Sequence, residues 1–396
     1  MSQTSRWILI AAVLVGCGNQ EGSGPPQPGV GGAGAGGTGG AAGGAAGNAT
    51  GGAAGSATGG AAGSGTGGGG TSGSCGSTLD ADAACSKYAA SFCAYFGKCA
   101  PELLSDFDSN ATCVERSRLR CMVELDAPGS RVKPALYVAA ADIYDATSCE
   151  PIYSFKNPLA GILESSDACG QAGTLADGSA CYVDQQCAGM ICSVPKGAAC
   201  GTCTSLGQLG DACEVDADCD DAHYCVGLKC NARLGLGQTC GANPQCGKDA
   251  HCASGTCQPR LGVGGTCALD SDCESGLVCG ASKQCKKPSL GTTNAPCAPL
   301  ELLSCNGFLG FKCDSNTMTC IKAAKAATGQ ACGLQGSVYV ACADAATCVL
   351  KPDLTGTCVA LAKEPASCNL DMGPECLSPA VCAAGSCVIP DKSTCP

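Results

Sequence analysis

The stretch "LGLGQTCGANPQCGKDAHCASGTC", Leu234–Cys257, decides the fold. Its cysteines Cys240, Cys246, Cys252 and Cys257 stand at intervals of 6, 6 and 5. Cys213, Cys219, Cys225 and Cys230 have the same intervals before it, and a third set, Cys267, Cys273, Cys279 and Cys285, follows it with spacings of 6, 6 and 6. The first cysteines of the three sets are evenly spaced along the chain. A fixed period with matched cysteines is an internal repeat. The lead-ins "LGQLGDAC", "LGLGQTC" and "LGVGGTC" each place a glycine three residues before the first cysteine: Gly210, Gly237 and Gly264. Glycine there suits a tight turn that needs positive φ.

Looser sets flank these three. Cys181, Cys187, Cys192, Cys200 and Cys203 come before; Cys297, Cys305, Cys313 and Cys320, then Cys332, Cys342, Cys348 and Cys358, then Cys368, Cys376, Cys382, Cys387 and Cys395 come after. Both end groups have five, so the count allows one bridge to cross between them. A unit as short as this repeat is too small to fold on apolar burial and needs its bridges. Each loop closed by one disulfide contributes ~3 kcal/mol on the chain-entropy model. Repetition of such units is expected to give an elongated, protease-resistant rod.

The first residues, "MSQTSRWILIAAVLVGCGN", carry Arg6 and an apolar run from Trp7 to Val15. That run has the length of a signal-peptide core and is too short to span a bilayer. It ends in Leu14-Val15-Gly16-Cys17, which resembles the bacterial lipobox. The resemblance implies lipidation of Cys17, cleavage before it, and a membrane partner through several acyl chains, a stable anchor where one chain is marginal. An Asp after the lipidated Cys would retain such a protein in the inner membrane; Gly18 stands there, so the expectation is the outer membrane, at the cell surface or on the periplasmic face. The residues from Gly18 to Ser74 are almost wholly small and are expected to be a flexible tether with a random-coil span of ~42 Å. Chance GxGxxG matches there lack a preceding strand and a following helix, and carry no phosphate-site reading.

The net charge is −11, and −12 without Arg6 (22 basic against 34 acidic residues), which leaves no electrostatic footprint for nucleic acid. Setting Cys17 aside, an even 38 of the 39 cysteines remain, a density read as a disulfide framework in an oxidising compartment. A metal cluster would need reduced thiolates instead.

Aromatic residues divide the folded part. Nine lie between Cys75 and Gly170 and five between Gln171 and Pro396, so only the first segment has material for an apolar core. The expected organisation is a signal peptide over 1–16, the lipidated Cys17 and linker over 17–74, a small α-helical, disulfide-stapled domain over 75–170, and tandem four-cysteine repeats with short β-hairpins over 171–396. Cys85, Tyr88, Phe92, Phe96 and Cys99 form one stripe of a helix. "NATCVERSRLRCMVEL" predicts a second helix with Val114, Ser117, Cys121 and Leu125 on one side, and a third begins at Pro134, with Leu136 and Ile143 seven apart. Cys85 and Cys93 are separated by the same interval as Cys113 and Cys121. Two antiparallel helices could therefore be stapled Cys85–Cys121 and Cys93–Cys113. Arg116, Arg118, Arg120, Arg131 and Lys133 make a basic cluster, read first as a solvated helix face and second as a contact for an anionic partner.

The pattern of Gly, first Cys, a polar or acidic pair before the second Cys ("VDADC", "NPQC", "LDSDC") and two further cysteines resembles the Dickkopf amino-terminal and EGF-like cysteine-rich modules. It is similar too to the large class of bacterial cysteine-rich lipoproteins named after them. "FCAYFGKCAPELL", "LDAPGS" and "GTLADGSACYVDQQCAGMIC" resemble the segment that precedes the repeats in those proteins. The resemblance covers about Cys75 to Pro396. It implies extracellular binding or structural roles, supplies no catalytic residue to carry across, and implies no Dickkopf receptor function.

Candidate chemistry is sparse. His223 ("DAHYC") and His251 ("DAHC") occupy equivalent places before the third cysteine, which points to the repeat surface before a metal or catalytic role. "CGTC", Cys200–Cys203, has redox-dithiol spacing but no adjacent βαβ pattern, so a structural role is expected. Asp216, Asp218, Asp220 and Asp221 invite a calcium reading, yet an EF-hand loop would want Gly at Asp221 and a carboxylate at Gly227. An irregular calcium site or a solvated acidic loop remain as readings, and no other cofactor is expected. The sequence thus points to a tethered, non-enzymatic lipoprotein that binds a protein or glycan ligand or serves adhesion or envelope structure. A protease-inhibitor-like module is the alternative, and an enzyme confined to 75–170 the third reading.

Overall fold

The structure, a computed structural model, describes residues 79–153, 158–159, 172–288, 290–297, 305–314, 316–336, 338–343 and 345–395. The signal segment, Cys17, the linker to Ser74 and the boundary near Gly170 lie outside the described residues. Disulfide-linked β-hairpins follow a helical part, as the cysteine spacing and the aromatic stripe predict.

Three helices carry the aromatic core. Helix α1, Ala81–Cys99, starts where Asp80 accepts the Ala83 N–H at 2.8 Å, with Asp82 in its first turn and Lys98 in its last, each sign matched to the helix dipole. Helix α2, Asn110–Asp126, starts where Ser109 accepts the Thr112 N–H at 3.1 Å. Helix α3, Pro134–Ala146, has Pro134 at its first turn, where a missing N–H costs nothing. Cys85–Cys121 and Cys93–Cys113 staple α1 to α2 in the antiparallel arrangement that the intervals allow, and Cys99–Cys149 ties the end of α1 to the segment after α3. Phe92, Phe96 and Tyr95 of α1 meet Tyr144 of α3 at ring distances of 5.2 to 5.9 Å.

Beyond the helices, seven units obey one rule: first cysteine to third, second to fourth. The pairs are Cys181–Cys192 and Cys187–Cys203; Cys213–Cys225 and Cys219–Cys230; Cys240–Cys252 and Cys246–Cys257; Cys267–Cys279 and Cys273–Cys285. Cys297–Cys313 and Cys305–Cys320, Cys332–Cys348 and Cys342–Cys358, and Cys368–Cys382 and Cys376–Cys387 continue it. The third and fourth cysteines face each other across a short antiparallel hairpin in six of the seven, as Cys225↔Cys230, Cys252↔Cys257 and Cys279↔Cys285 show. In the unit at Cys181 they pair as Cys192↔Cys203 within a three-stranded sheet.

Backbone bonds repeat with the cysteines. Gly210, Gly237 and Gly264 have φ of 92°, 81° and 84°, the conformation predicted for them. Each donates its N–H to the carbonyl of its unit's fourth cysteine. Gly178, Asn294 and Gly329 stand in the equivalent places and make the same bond. The last unit has Pro365 there, which has no N–H to give. The residue six before the first cysteine pairs in parallel with the second cysteine in every unit, from Leu175↔Cys187 to Ala362↔Cys376. Little apolar material is needed: the buried centre of the unit at Cys240 is Cys240, Cys246, Ala250 and Cys257, with Leu234 and Cys252 against it.

The first and last repeats do not stand apart as the two ends of a rod would. Leu377 of the last repeat, 2 % exposed, lies in the aromatic core built by α1 and α3. Phe308 stacks on Tyr153 at 6.2 Å, and Lys325 pairs with Glu102 at 2.8 Å. The first repeat joins the turn after α2 through Gln186 Nε2 to Pro128 O at 3.0 Å and Thr174 N to Gly129 O at 2.9 Å. Cys200 of the first repeat group is bonded to Cys395 of the last, 195 residues later, and this is the bridge between the two groups of five. A rod keeps its terminal units apart; here they are cross-linked to each other and both rest on the helices.

Candidate functional site

In the first four units the polar pair before the second cysteine is built into the fold. The residue three before that cysteine accepts the N–H of the third: Asp184 from Cys192, Asp216 from Cys225, Asn243 from Cys252 and Asp270 from Cys279, all at 2.7 or 2.8 Å. The residue immediately before it accepts from the two N–H groups four and three residues back, as Asp218 does from Glu214 and Val215 and Asp272 from Ala268 and Leu269. Gln186 and Gln245 stand in this second place in their units. An amide serves as well as a carboxylate, so the position asks for an acceptor and not for charge. Asp220 holds the Ala222 N–H and the His223 ring, and Asp221 lies 3.9 Å from Lys248. Asp216 and Asp218 accept backbone N–H groups of their own loop while Asp218 and Asp221 stay exposed, the arrangement of a solvated acidic loop whose carboxylates order its turns.

The other candidates are dispersed. His223 is half-buried against Asp220, whereas His251 is 4 % exposed with no hydrogen-bond partner on Nδ1. Equivalent in sequence, they differ because the unit at Cys267 packs beside the strand of His251, where Asn243 reaches Ser271 and Asp272 at 2.8 Å. In "CGTC", Cys200 pairs with Cys395 and Cys203 with Cys187, so the two sulfurs belong to different bridges. The sulfurs of Cys181, Cys187 and Cys203 lie within 4.8 Å of one another, and comparable triplets recur down the chain. These are cystine sulfurs, as is every described cysteine, and cystine offers no thiolate to a metal.

Sequence reasoning placed Arg116 on a solvated face, and the structure corrects this. Arg116 is 2 % exposed. Its two terminal nitrogens hold both carboxylate oxygens of Glu364 at 2.6 and 2.8 Å, and it also donates to the carbonyls of Leu377 and Ser378, each at 2.7 Å. Burial alone pushes the Glu364 carboxyl up, but the Arg116 hydrogen bond and charge outweigh it and hold it below the ordinary value. Arg118 pairs with Asp82, and Arg120 Nε donates to Glu124 at 2.9 Å. The basic cluster is thus largely spent on intramolecular partners. Glu124, 8 % exposed, also accepts from the Tyr137 hydroxyl, which burial keeps protonated far above its usual range.

One cleft, of about 230 Å³, opens between the turn Pro101–Leu104 and the five-stranded sheet of the unit at Cys332. Glu102 and Lys325 neutralise each other across it, Ala345 N donates to Ser105 O at 2.8 Å, and Tyr339 stands exposed at its rim. Sequence reasoning missed it because its two walls come from opposite halves of the chain and share no motif. No protein-family model, no curated protein and no solved structure matches the chain.

Proposed function

We propose that the chain is a lipid-anchored protein of the cell envelope that presents a disulfide-built repeat scaffold for binding, without catalysis of its own. The observation that carries this reading is that every described cysteine is consumed in a bridge and the polar side chains that looked chemical are consumed in turns. A scaffold so densely bridged suits an oxidising, protease-exposed setting and leaves its loops free to contact a partner. The lipobox resemblance at Cys17 supplies the anchor, and the Gly/Ala-rich stretch to Ser74 the reach. The likeness of the repeats to Dickkopf amino-terminal and EGF-like modules agrees with an extracellular binding role.

Metabolic labelling with a clickable fatty acid tests the anchor: the chain takes up label and Cys17→Ser does not. Protease shaving of intact cells, with and without prior reduction, tests the display. Release of a resistant fragment only from unreduced cells supports surface presentation, and an unlabelled chain recovered in the soluble fraction defeats the reading.

A further inference from the structure

Helix α2 opens on Asn110-Ala111-Thr112, and the fold uses only part of this sequence. Ser109, one residue earlier, is the cap: it accepts the Thr112 N–H at 3.1 Å, and its hydroxyl meets that of Thr112 at 3.0 Å. Thr112 donates its hydroxyl to Asp108. Asn110 takes no part. It stands exposed, and its side chain bonds to no described residue, whereas Asn243, Asn306 and Asn369 each spend theirs on holding a turn. Asparagine is favoured where its side chain can cap a helix, and Ser109 already has that place. What the fold leaves unused is an amide two residues before a hydroxyl, with a residue other than Pro between them. That is the N-x-S/T acceptor pattern for N-linked glycan, whose structural context is an exposed asparagine on an exported chain.

We infer that Asn110 carries an N-linked glycan, taken from an oligosaccharide bound to a lipid diphosphate. In the transfer, the Asn110 amide nitrogen bonds to C1 of the first sugar and gives up one proton. The bond from C1 to the diphosphate oxygen breaks, and the lipid diphosphate leaves with its electron pair. The folded chain dictates when this happens. Thr112 is 8 % exposed with its hydroxyl bonded, and the next residue, Cys113, is tied to Cys93 of α1. An enzyme that has to reach both groups of the pattern must therefore act before α2 is stapled down. Once the chain has folded, Asn110 is flanked by exposed Ser109 and Ala111, so the sugar projects into solvent and displaces no packed side chain. The inference rests on the export proposed above and adds a modification to it.

In the test, the full chain is purified from the envelope of the cells that make it, and the peptide holding Asn110 is sequenced by electron-transfer mass spectrometry. The expected result is a mass increment of whole sugar residues on Asn110, lost entirely in Asn110→Gln and kept in Thr112→Ser, which preserves the pattern. Asn110→Gln removes no bond of the fold, so an unchanged set of disulfides shows that the loss is chemical and not a failure to fold. A bare Asn110 in chain recovered from the envelope overturns the inference. So does a glycan found only on Asn48, in the chain's other Asn-Ala-Thr, or an increment that persists in Asn110→Gln. The order of events has its own check. Chain made without the enzyme, then incubated with an oligosaccharyltransferase and lipid-linked oligosaccharide, should stay bare while its bridges are intact and accept sugar after reduction. Equal transfer to the intact chain overturns that order. Chain recovered only in the soluble fraction defeats the export reading instead, so the two fail separately.

Discussion

At the scale of single residues, the decisive finding is that polar side chains here replace a hydrophobic interior. Arg116 is the clearest case: a guanidinium with four bonds, almost out of reach of water, joins a helix to a repeat 248 residues away in sequence. Arg116→Met removes one partner of a largely buried pair and should destabilise the junction by about 3 kcal/mol, read as faster amide exchange in α2 and around Leu377. The Glu364 side of the pair sets a pH window. Its folded pKa is depressed below 4.5, so the folded state binds fewer protons there than the unfolded chain. That contribution is complete above the unfolded value and drains away as pH falls through the folded one. Wild type should therefore lose exchange protection at the junction below about pH 4.5, and Glu364→Gln should start weaker and lose the acid step. The paired acceptors before the second cysteine of the first four units make a different forecast. Asp216→Asn should fold nearly as wild type, whereas Asp216→Ala, which strands the Cys225 N–H, should cost about 1 kcal/mol in denaturant melts. Calcium and chelator should leave the melting curve of either chain unmoved; a calcium-dependent rise in wild type would return those aspartates to the ligand role.

At the scale of the element, each unit is a turn, two interleaved bridges and a hairpin, and this was legible in the sequence because all its parts lie close together along the chain. Gly210, Gly237 and Gly264 could be assigned positive φ from position alone, and the equal intervals in α1 and α2 were enough to raise the right staple. The solvated loop was read from the acidic pairs, but not their task within it, because nothing in the pattern of Asp216 and Asp218 shows which N–H groups they satisfy. Gly237 offers a direct check on turn chemistry. Nothing lies within 4 Å of the position an added methyl would take, so Gly237→Ala meets only the cost of φ at 81°. That cost is about 1 kcal/mol, and the variant should form both of its unit's disulfides while melting earlier.

At the scale of the whole molecule, little could be read ahead, because its contacts pair residues with no common pattern. Leu377 in the aromatic core, Lys325 on Glu102 and Phe308 on Tyr153 each join a late repeat to the helical part near the start of the folded chain, and no periodicity announces them. Only the odd cysteine in each end group hinted at Cys200–Cys395. Replacing both by Ser opens a closure worth about 5 kcal/mol on the chain-entropy model, an upper figure because the other bridges already shorten the loop. Mass-resolved amide exchange should then rise in the last repeat and in the helices beside it, and stay unchanged between Cys213 and Cys285. A uniform rise would mean that the central repeats draw their order from the closure too. The interleaving itself bears on how the protein is made. A chain that enters an oxidising compartment amino end first offers Cys213 a neighbour in Cys219 well before Cys225 emerges, and Cys200 must wait for almost half of the chain. Oxidation in order of arrival would therefore join the wrong sulfurs in every unit, and the native set has to be reached by reshuffling. The maturation of this protein should be limited by a disulfide isomerase rather than by an oxidase.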